Sequence, residues 1–427
     1  MSPALLALII IAVMIALFIW EPWPIVVTAV AASILFCWSG VILPEGQGLI
    51  TLSDILAGYN STTIALLCGM MVVGASLFHA GITERIGEKM VKITGKNERN
   101  IILVTLIVSC LLSSICSNIG VMTAMAPLVT AMCLAAGFGP SRSLMALLFG
   151  SQFGGFVTLV GVGSNATGNE VMIQNGLEGF KFFSITPFGI GVCVLGTLYF
   201  VLIGRKLLPD TGYVPEFAQT DRKPLDKRKA IISVATLFCV LVVIAWNPLP
   251  KLIPMWVAAI IGALVIVATK VMTLKDAIKA IDWNCMLLVG SLSAISLGVK
   301  NSGLGSIVAD KILNILGENP SAFLVTTVIF FAASLLTQVM SNIPTIMLFM
   351  PIAIEIATKI GVNPYPICMT IVLAGAASYG TPFAAPQNMI TVGWTKYKFM
   401  DFIKIGIPMV LITYIAVVGL IPIFLPY

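Results

Sequence analysis

Apolar stretches of near twenty residues recur along the whole chain, at about 4–20, 24–43, 62–79, 184–204, 230–246, 254–270, 283–299 and 405–424. As helices, such stretches cross a bilayer hydrocarbon core of about 30 Å. Only 10% of the 427 residues are charged and 59% are hydrophobic, whereas soluble domains carry roughly 25% charged residues. A water-soluble enzyme is excluded on these grounds, and the sequence predicts an all-α polytopic membrane protein. The net charge of +6 is modest; the bilayer is the expected partner, and no nucleic acid is.

The nine cysteines fall almost entirely inside apolar stretches, without paired spacing of the disulfide or zinc type. They read as small buried hydrophobes. The first twenty residues lack a basic leader and an A-x-A cleavage site, so they read as a retained helix.

The longest polar stretch, 205–229, carries Arg205, Lys206, Arg222, Lys223, Lys227, Arg228 and Lys229. The positive-inside rule places it in the cytoplasm. It separates residues 1–204 from 230–427, and the two halves match. At an offset of 222, Thr51, Asp54, Gly81, Lys89, Gly95 and Asn97 pair with Thr273, Asp276, Gly303, Lys311, Gly317 and Asn319. After two residues are gained, Ser117-Asn118-Ile119 pairs with Ser341-Asn342-Ile343, and Pro127 with Pro351. Thr158 and Asn165 then match Thr381 and Asn388.

Charge separates the halves in orientation. Stretch 82–100 carries five bases, whereas its partner 304–322 has only Lys311, offset by Asp310 and Glu318. Loop 44–60 has Glu45, Asp54 and no base, whereas 270–280 has Lys270, Lys275 and Lys279. Equivalent elements on opposite faces make an inverted-topology repeat of about 5+5 transmembrane units, with both termini outside and a binding site near the midplane.

Two regions of each half cannot be plain spans. Segments 100–136 and 321–358 place Ser113-Ser114-Ile115-Cys116-Ser117-Asn118 and Thr337-Gln338-Val339-Met340-Ser341-Asn342 between two apolar arms too short for two crossings. Each reads as a re-entrant hairpin, whose irregular tip is tolerated only inside protein or beside a watery cavity. The second arm of such a hairpin begins with unpaired amides at a positive dipole end, which binds anions without Lys or Arg. Segments 157–168 and 380–391 contain Gly161, Gly163, Pro382 and Pro386, and read as unwound helices that free backbone carbonyls. Ser113 and Thr337 lie one helical turn before the tips. Their hydroxyls, the Asn carbonyls and the freed backbone oxygens are hard neutral ligands suited to Na⁺. The bland alternative is that these polar residues only bridge helices.

These paired motifs resemble the divalent anion/sodium symporters, transporters of di- and tricarboxylates, over roughly residues 45–427. The resemblance implies a first Na⁺ site at Ser113, Ser117, Asn118 and the backbone near Gly161. It implies a second at Thr337, Ser341, Asn342 and the backbone near Ala384. Substrate would touch Ser117, Asn118, Ile119 and Gly163 from one half, and Ser341, Asn342, Ile343 and Pro386 from the other. A homodimer working by an elevator motion is implied too. The chain departs from the pattern in carrying Ile119 and Ile343 where members have Thr, and G-S-N and P-Q-N where many have P-P-N.

The expected function is sodium-coupled secondary transport of small organic anions, C4-dicarboxylates first, across the cell (inner or plasma) membrane. A sodium-independent anion exchanger, or a carrier of citrate or sulfate, is the alternative. A cation/proton antiporter ranks lower, because neither motif pair contains an acid. A membrane enzyme ranks lowest: there is one histidine and no acidic dyad. Glu170, Glu355 and His79 read as structural or interfacial.

Overall fold

Hydrocarbon offers backbone amides no partner, so each membrane segment must close its own hydrogen bonds as a helix. The computed structural model describes residues 2–20, 22–43, 48–216, 225–246, 253–317 and 320–427. Within them all regular structure is helical, and eight helical stretches are long and apolar enough to span a membrane. Met255–Ala268, Ala322–Thr337 and Pro364–Gly375 are shorter apolar helices. Glu45, Arg222, Lys223, Glu318 and Asn319, used above for charge and pairing, lie outside the described residues.

Both halves run through the same elements. Pro3–Trp20 and Ile25–Ile42 open the first half; Lys227–Trp246 and Met255–Ala268 open the second. A short helix follows in each, Leu52–Tyr59 and Leu274–Ala280, and the matched Thr-Asp pairs cap them. Thr51 accepts from the Asp54 amide while the Asp54 carboxylate accepts from the Thr51 amide at 2.7 Å. Thr273 accepts from the Asp276 amide at 3.1 Å. Each cap holds one of the otherwise orphaned first-turn amides.

The spans Thr62–His79 and Trp283–Asn301 come next. Gly81 and Gly303 then turn the chain, at φ of 74° and 72°, into the amphipathic helices Ile82–Thr94 and Leu304–Leu316. Only glycine takes that left-handed conformation without steric cost, which accounts for the duplicated residue. Two helical arms follow, then a helix that breaks and resumes, then a closing helix: Thr186–Tyr199 in the first half and Phe399–Phe424 in the second. In the first half the chain continues through a π turn at Phe200–Gly204.

The closing helices lie directly on the broken ones. A Cβ at Gly189 would sit 2.1 Å from the Phe156 carbonyl oxygen, and one at Gly406 would sit 2.3 Å from that of Tyr379. Both positions therefore need glycine for backbone-to-backbone contact, as small residues allow between membrane helices. At the foot of the first arm, Glu98 bridges Arg142 at 3.2 Å and Arg205 at 3.8 Å.

Candidate substrate cavity

The first pair of arms is Glu98–Ser113 and Asn118–Ala136; the second is Ala322–Thr337 and Asn342–Lys359. Their tips are the four-residue turns between them. Ser117 and Ser341 occupy the N-cap positions of the returning arms, and neither side chain caps its helix. The first-turn amides of Asn118, Ile119 and Gly120 thus have no partner within the helix. The second tip offers Asn342 and Ile343 only, since Pro344 carries no N–H. Both helix starts concentrate positive potential at tips that carry no basic residue of their own.

The hydroxyl one turn earlier fixes each Asn. Ser113 Oγ donates to Asn118 Oδ1 at 2.5 Å. Thr337 Oγ1 lies 2.9 Å from Asn342 Oδ1 and 2.7 Å from the Gly375 carbonyl oxygen, with its one proton to share between them.

Each tip is tied to a helix break of its own half. Helix Ser141–Gly155 ends and Gly163–Gln174 resumes; Pro364–Gly375 ends and Pro386–Thr395 resumes. The irregular residues are thus 156–162 and 376–385: both breaks end short of the expected 157–168 and 380–391, and the second also begins before its expected start. Gly163 and Pro386 begin helices here. Proline at a first helical position has its φ already set and gives up an amide that needs no partner, so it starts this helix instead of breaking it.

Within the breaks, Asn165 Nδ2 donates to the carbonyls of Gly155 (2.7 Å) and Thr158 (3.1 Å). Asn388 Nδ2 does the same for Ser378 (2.8 Å) and Thr381 (2.8 Å). Thr158 Oγ1 reaches the Ser114 carbonyl at 2.5 Å, and Thr381 Oγ1 reaches that of Gln338 at 2.5 Å. The duplicated Thr and Asn are therefore the staples of two equivalent tip-and-break units.

Both units face one cavity of about 510 Å³. Ser117, Asn118, Ile119, Gly161 and Gly163 line it from the first half, and Ser341, Asn342, Ile343 and Pro386 from the second. Ser113 and Thr337 stand behind the tips, holding the Asn side chains. Ala384 does not line the cavity; its neighbour Ala385 does.

Sequence reasoning missed several residues. Gln152 crosses between halves, its Nε2 donating to Asn388 Oδ1 at 2.9 Å and to the Ser378 carbonyl at 3.2 Å. Gln338 accepts from the Gly380 amide (2.7 Å) and donates to the Ala377 carbonyl (2.8 Å). Lys279, Asp282 and Asn284 also line the cavity. No local pattern marks the two glutamines, because these partners of Gln152 lie 226 and 236 residues away and these partners of Gln338 lie 39 and 42 residues away.

Ser164 Oγ and Asn165 Oδ1 are buried without a hydrogen-bond partner at the first break, and Ser378 Oγ and Gln152 Oε1 are so at the second, where Asn388 Oδ1 is taken by Gln152 Nε2. Each break thus has a bare hydroxyl and a bare carboxamide oxygen beside it, the kind of donor that suits a hard cation.

Outside the cavity the first-half connection is tightly seated. A Cβ at Gly58 would lie 2.4 Å from the Gly290 carbonyl oxygen, Tyr59 and Ser291 share a hydrogen bond of 2.6 Å, and Ser61 donates to buried Glu170 at 2.7 Å. The equivalent second-half residues, Ala280 to Asp282, border the cavity instead.

Apolar spans around a cavity entered by two irregular tips, with polar groups gathered there, define a membrane transporter. Comparison with known proteins agrees. A family profile described as "Citrate transporter" matches residues 15–254 and 239–427. The chain belongs to that citrate transporter family, part of the divalent anion/sodium symporter group, and is a transporter and not an enzyme. It is 20% identical to the uncharacterized transporter YfbS of Escherichia coli, over 89% of this chain and 94% of that one. It is 27% identical to the Na(+)/citrate cotransporter of Rattus norvegicus, over 31% of this chain and 23% of that one. The fold is similar to the crystal structure of the Alcanivorax borkumensis YdaH transporter, with a TM-score of 0.61, 13% identity, and coverage of 96% and 98% of the two chains.

Proposed function

We propose that this chain is a sodium-coupled secondary transporter of small organic anions, C4-dicarboxylates first among them. One observation carries the reading: two hairpin tips with uncapped helix starts, and two broken helices, converge on a single cavity. A dicarboxylate presents one negative end to each tip, where amide N–H groups and the Asn118 and Asn342 carboxamides receive it. Na⁺ supplies the countercharge. Asn118 Oδ1, Asn165 Oδ1 and Ser164 Oγ are the side-chain oxygens that would hold it in the first half, with Ser113, Ser117 and the Gly161 backbone around them. Thr337, Ser341, Asn342 and the Ala384 backbone form the second candidate set.

The cavity borders the connection 279–285, which follows the basic stretch Lys270–Lys279. By the positive-inside rule, that side and the 205–229 linker are cytoplasmic, so this conformation faces inward. Transport then consists of the hairpin-bearing elements moving as a body against the spans Thr62–His79 and Trp283–Asn301, in a homodimer set in the cell membrane. The inverted repeat supplies the outward-facing state by exchanging the roles of the two connections.

A sodium-independent exchanger is the second reading. It is favoured by Gln152 and Gln338, whose amides already occupy oxygens of the second break. Proteoliposome uptake of labelled succinate with an inward Na⁺ gradient, against the same with K⁺, separates the two. Stimulation by the Na⁺ gradient supports coupling; equal uptake driven only by internal anion supports exchange.

A further inference from the structure

Resting on the proposed anion site, the lining of the cavity constrains the body of the substrate as well as its ends. Neutral donors stand at the tips, where they serve the carboxylates, and at Ser164, Asn284 and Gln387. Much of the remaining lining is hydrocarbon: Ile119 and Ile343 follow the two Asn residues, with Val162 beside the first break and Leu67, Met70 and Leu288 on the facing spans. The charged residues Lys279 and Asp282 come from the connection into Trp283–Asn301, not from the tips. Ile119 and Ile343 occupy the second helical position of each returning arm, immediately after the residue proposed to meet a carboxylate. A hydroxyl on the carbon next to that carboxylate would therefore face a branched alkyl group.

We infer that the preferred substrate is a dianion with an alkyl-bearing backbone, of the 2-alkyl-substituted C4-dicarboxylate class, and that hydroxylated dicarboxylates are discriminated against. Each methylene moved from water onto the isoleucine surfaces strengthens binding by about fourfold. A hydroxyl that loses its water there without gaining a partner weakens binding by roughly tenfold or more, the range over which apolar pockets reject added hydroxyls. Volume does not decide the matter, since about 510 Å³ admits either kind of molecule. Wall chemistry does.

The test is competition against labelled succinate uptake in proteoliposomes, at pH 8 so that every competitor is a dianion, using methylsuccinate, 2,2-dimethylsuccinate, malate and tartrate. The expected order is dimethylsuccinate and methylsuccinate ahead of succinate, with malate about tenfold behind and tartrate further back. The pair Ile119→Thr/Ile343→Thr is compared with the isosteric Ile119→Val/Ile343→Val. The valine pair keeps the wild-type order, and the threonine pair brings malate level with or ahead of methylsuccinate. Malate or tartrate competing as well as methylsuccinate in the wild type overturns the inference, as does an unchanged order in a threonine pair that runs as a monodisperse species. If the threonine pair does not fold, the wild-type and valine orders still decide. Succinate uptake with a flat competitor order sinks this inference and leaves the transport reading standing. Absence of uptake or competition by any of the five dianions sinks both.

Discussion

Replacing Asn388 by alanine tests whether the staple across the second break holds the cavity together. Asn388 is fully buried and makes three side-chain hydrogen bonds: to the carbonyls of Ser378 and Thr381, and from Gln152 Nε2. None of those partners is stranded completely by the substitution. The Ser378 carbonyl keeps Gln152 Nε2 at 3.2 Å, and the Thr381 carbonyl keeps the Ala384 amide at 3.4 Å. The cost is therefore that of three bonds, not of orphaned groups. At about 0.6 kcal/mol per bond between membrane helices and about 1 kcal/mol per bond in soluble proteins, Asn388→Ala should lose about 2–3 kcal/mol. Asn165→Ala removes two donated bonds, and its Oδ1 has no partner to lose. It should cost about 1–2 kcal/mol. Thermal unfolding of the two variants in detergent micelles should give midpoints in the order wild type, Asn165→Ala, Asn388→Ala. A Gln152→Ala/Asn388→Ala double variant should be less damaged than the sum of the singles, because the two side chains share a bond. An Asn388→Ala midpoint indistinguishable from wild type, or below-wild-type losses that reverse the order, would refute the reasoning.

Other perturbations reach different parts of the account. Asn118→Ala and Asn342→Ala should each abolish anion uptake while membrane insertion and the elution profile stay normal; wild-type uptake in either removes that tip from the site. Gly58→Val should slow transport and lower the thermal midpoint by several degrees, because its Cβ would fall 2.4 Å from the Gly290 oxygen and overpacking costs about 1–3 kcal/mol. Exchanging K⁺ for Na⁺ should raise the melting midpoint of the wild type, as any ion bound only by the folded state does. Asn118→Ala should cancel that rise.

The spans were legible because lipid imposes a length: 62–79 read from hydropathy is also the helix Thr62–His79. The tips were legible because Ser-Asn pairs have no ordinary place between apolar arms. The duplicated Thr51, Gly81, Thr158 and Asn165 stood out as identities, and each has a local backbone task, a cap, a left-handed turn or a staple. The extent of the breaks is less legible, since glycine and proline interrupt a helix in its interior yet stand at its first position here, as Gly163 and Pro386 do. Gln152, Gln338, Lys279, Asp282 and Asn284 gave no signal, because their roles depend on elements distant in sequence, for Gln152 on the opposite half and for Gln338 on the break of its own half. Nor could sequence reveal that the Gly58 connection is seated while its counterpart borders the cavity.

Uptake of labelled succinate into proteoliposomes, with the wild type and Asn118→Ala/Asn342→Ala compared side by side under an inward Na⁺ gradient, most directly tests whether the two tips form one anion site. The account predicts Na⁺-stimulated accumulation by the wild type and none above empty vesicles by the double variant. Accumulation by the double variant at the wild-type rate would contradict it.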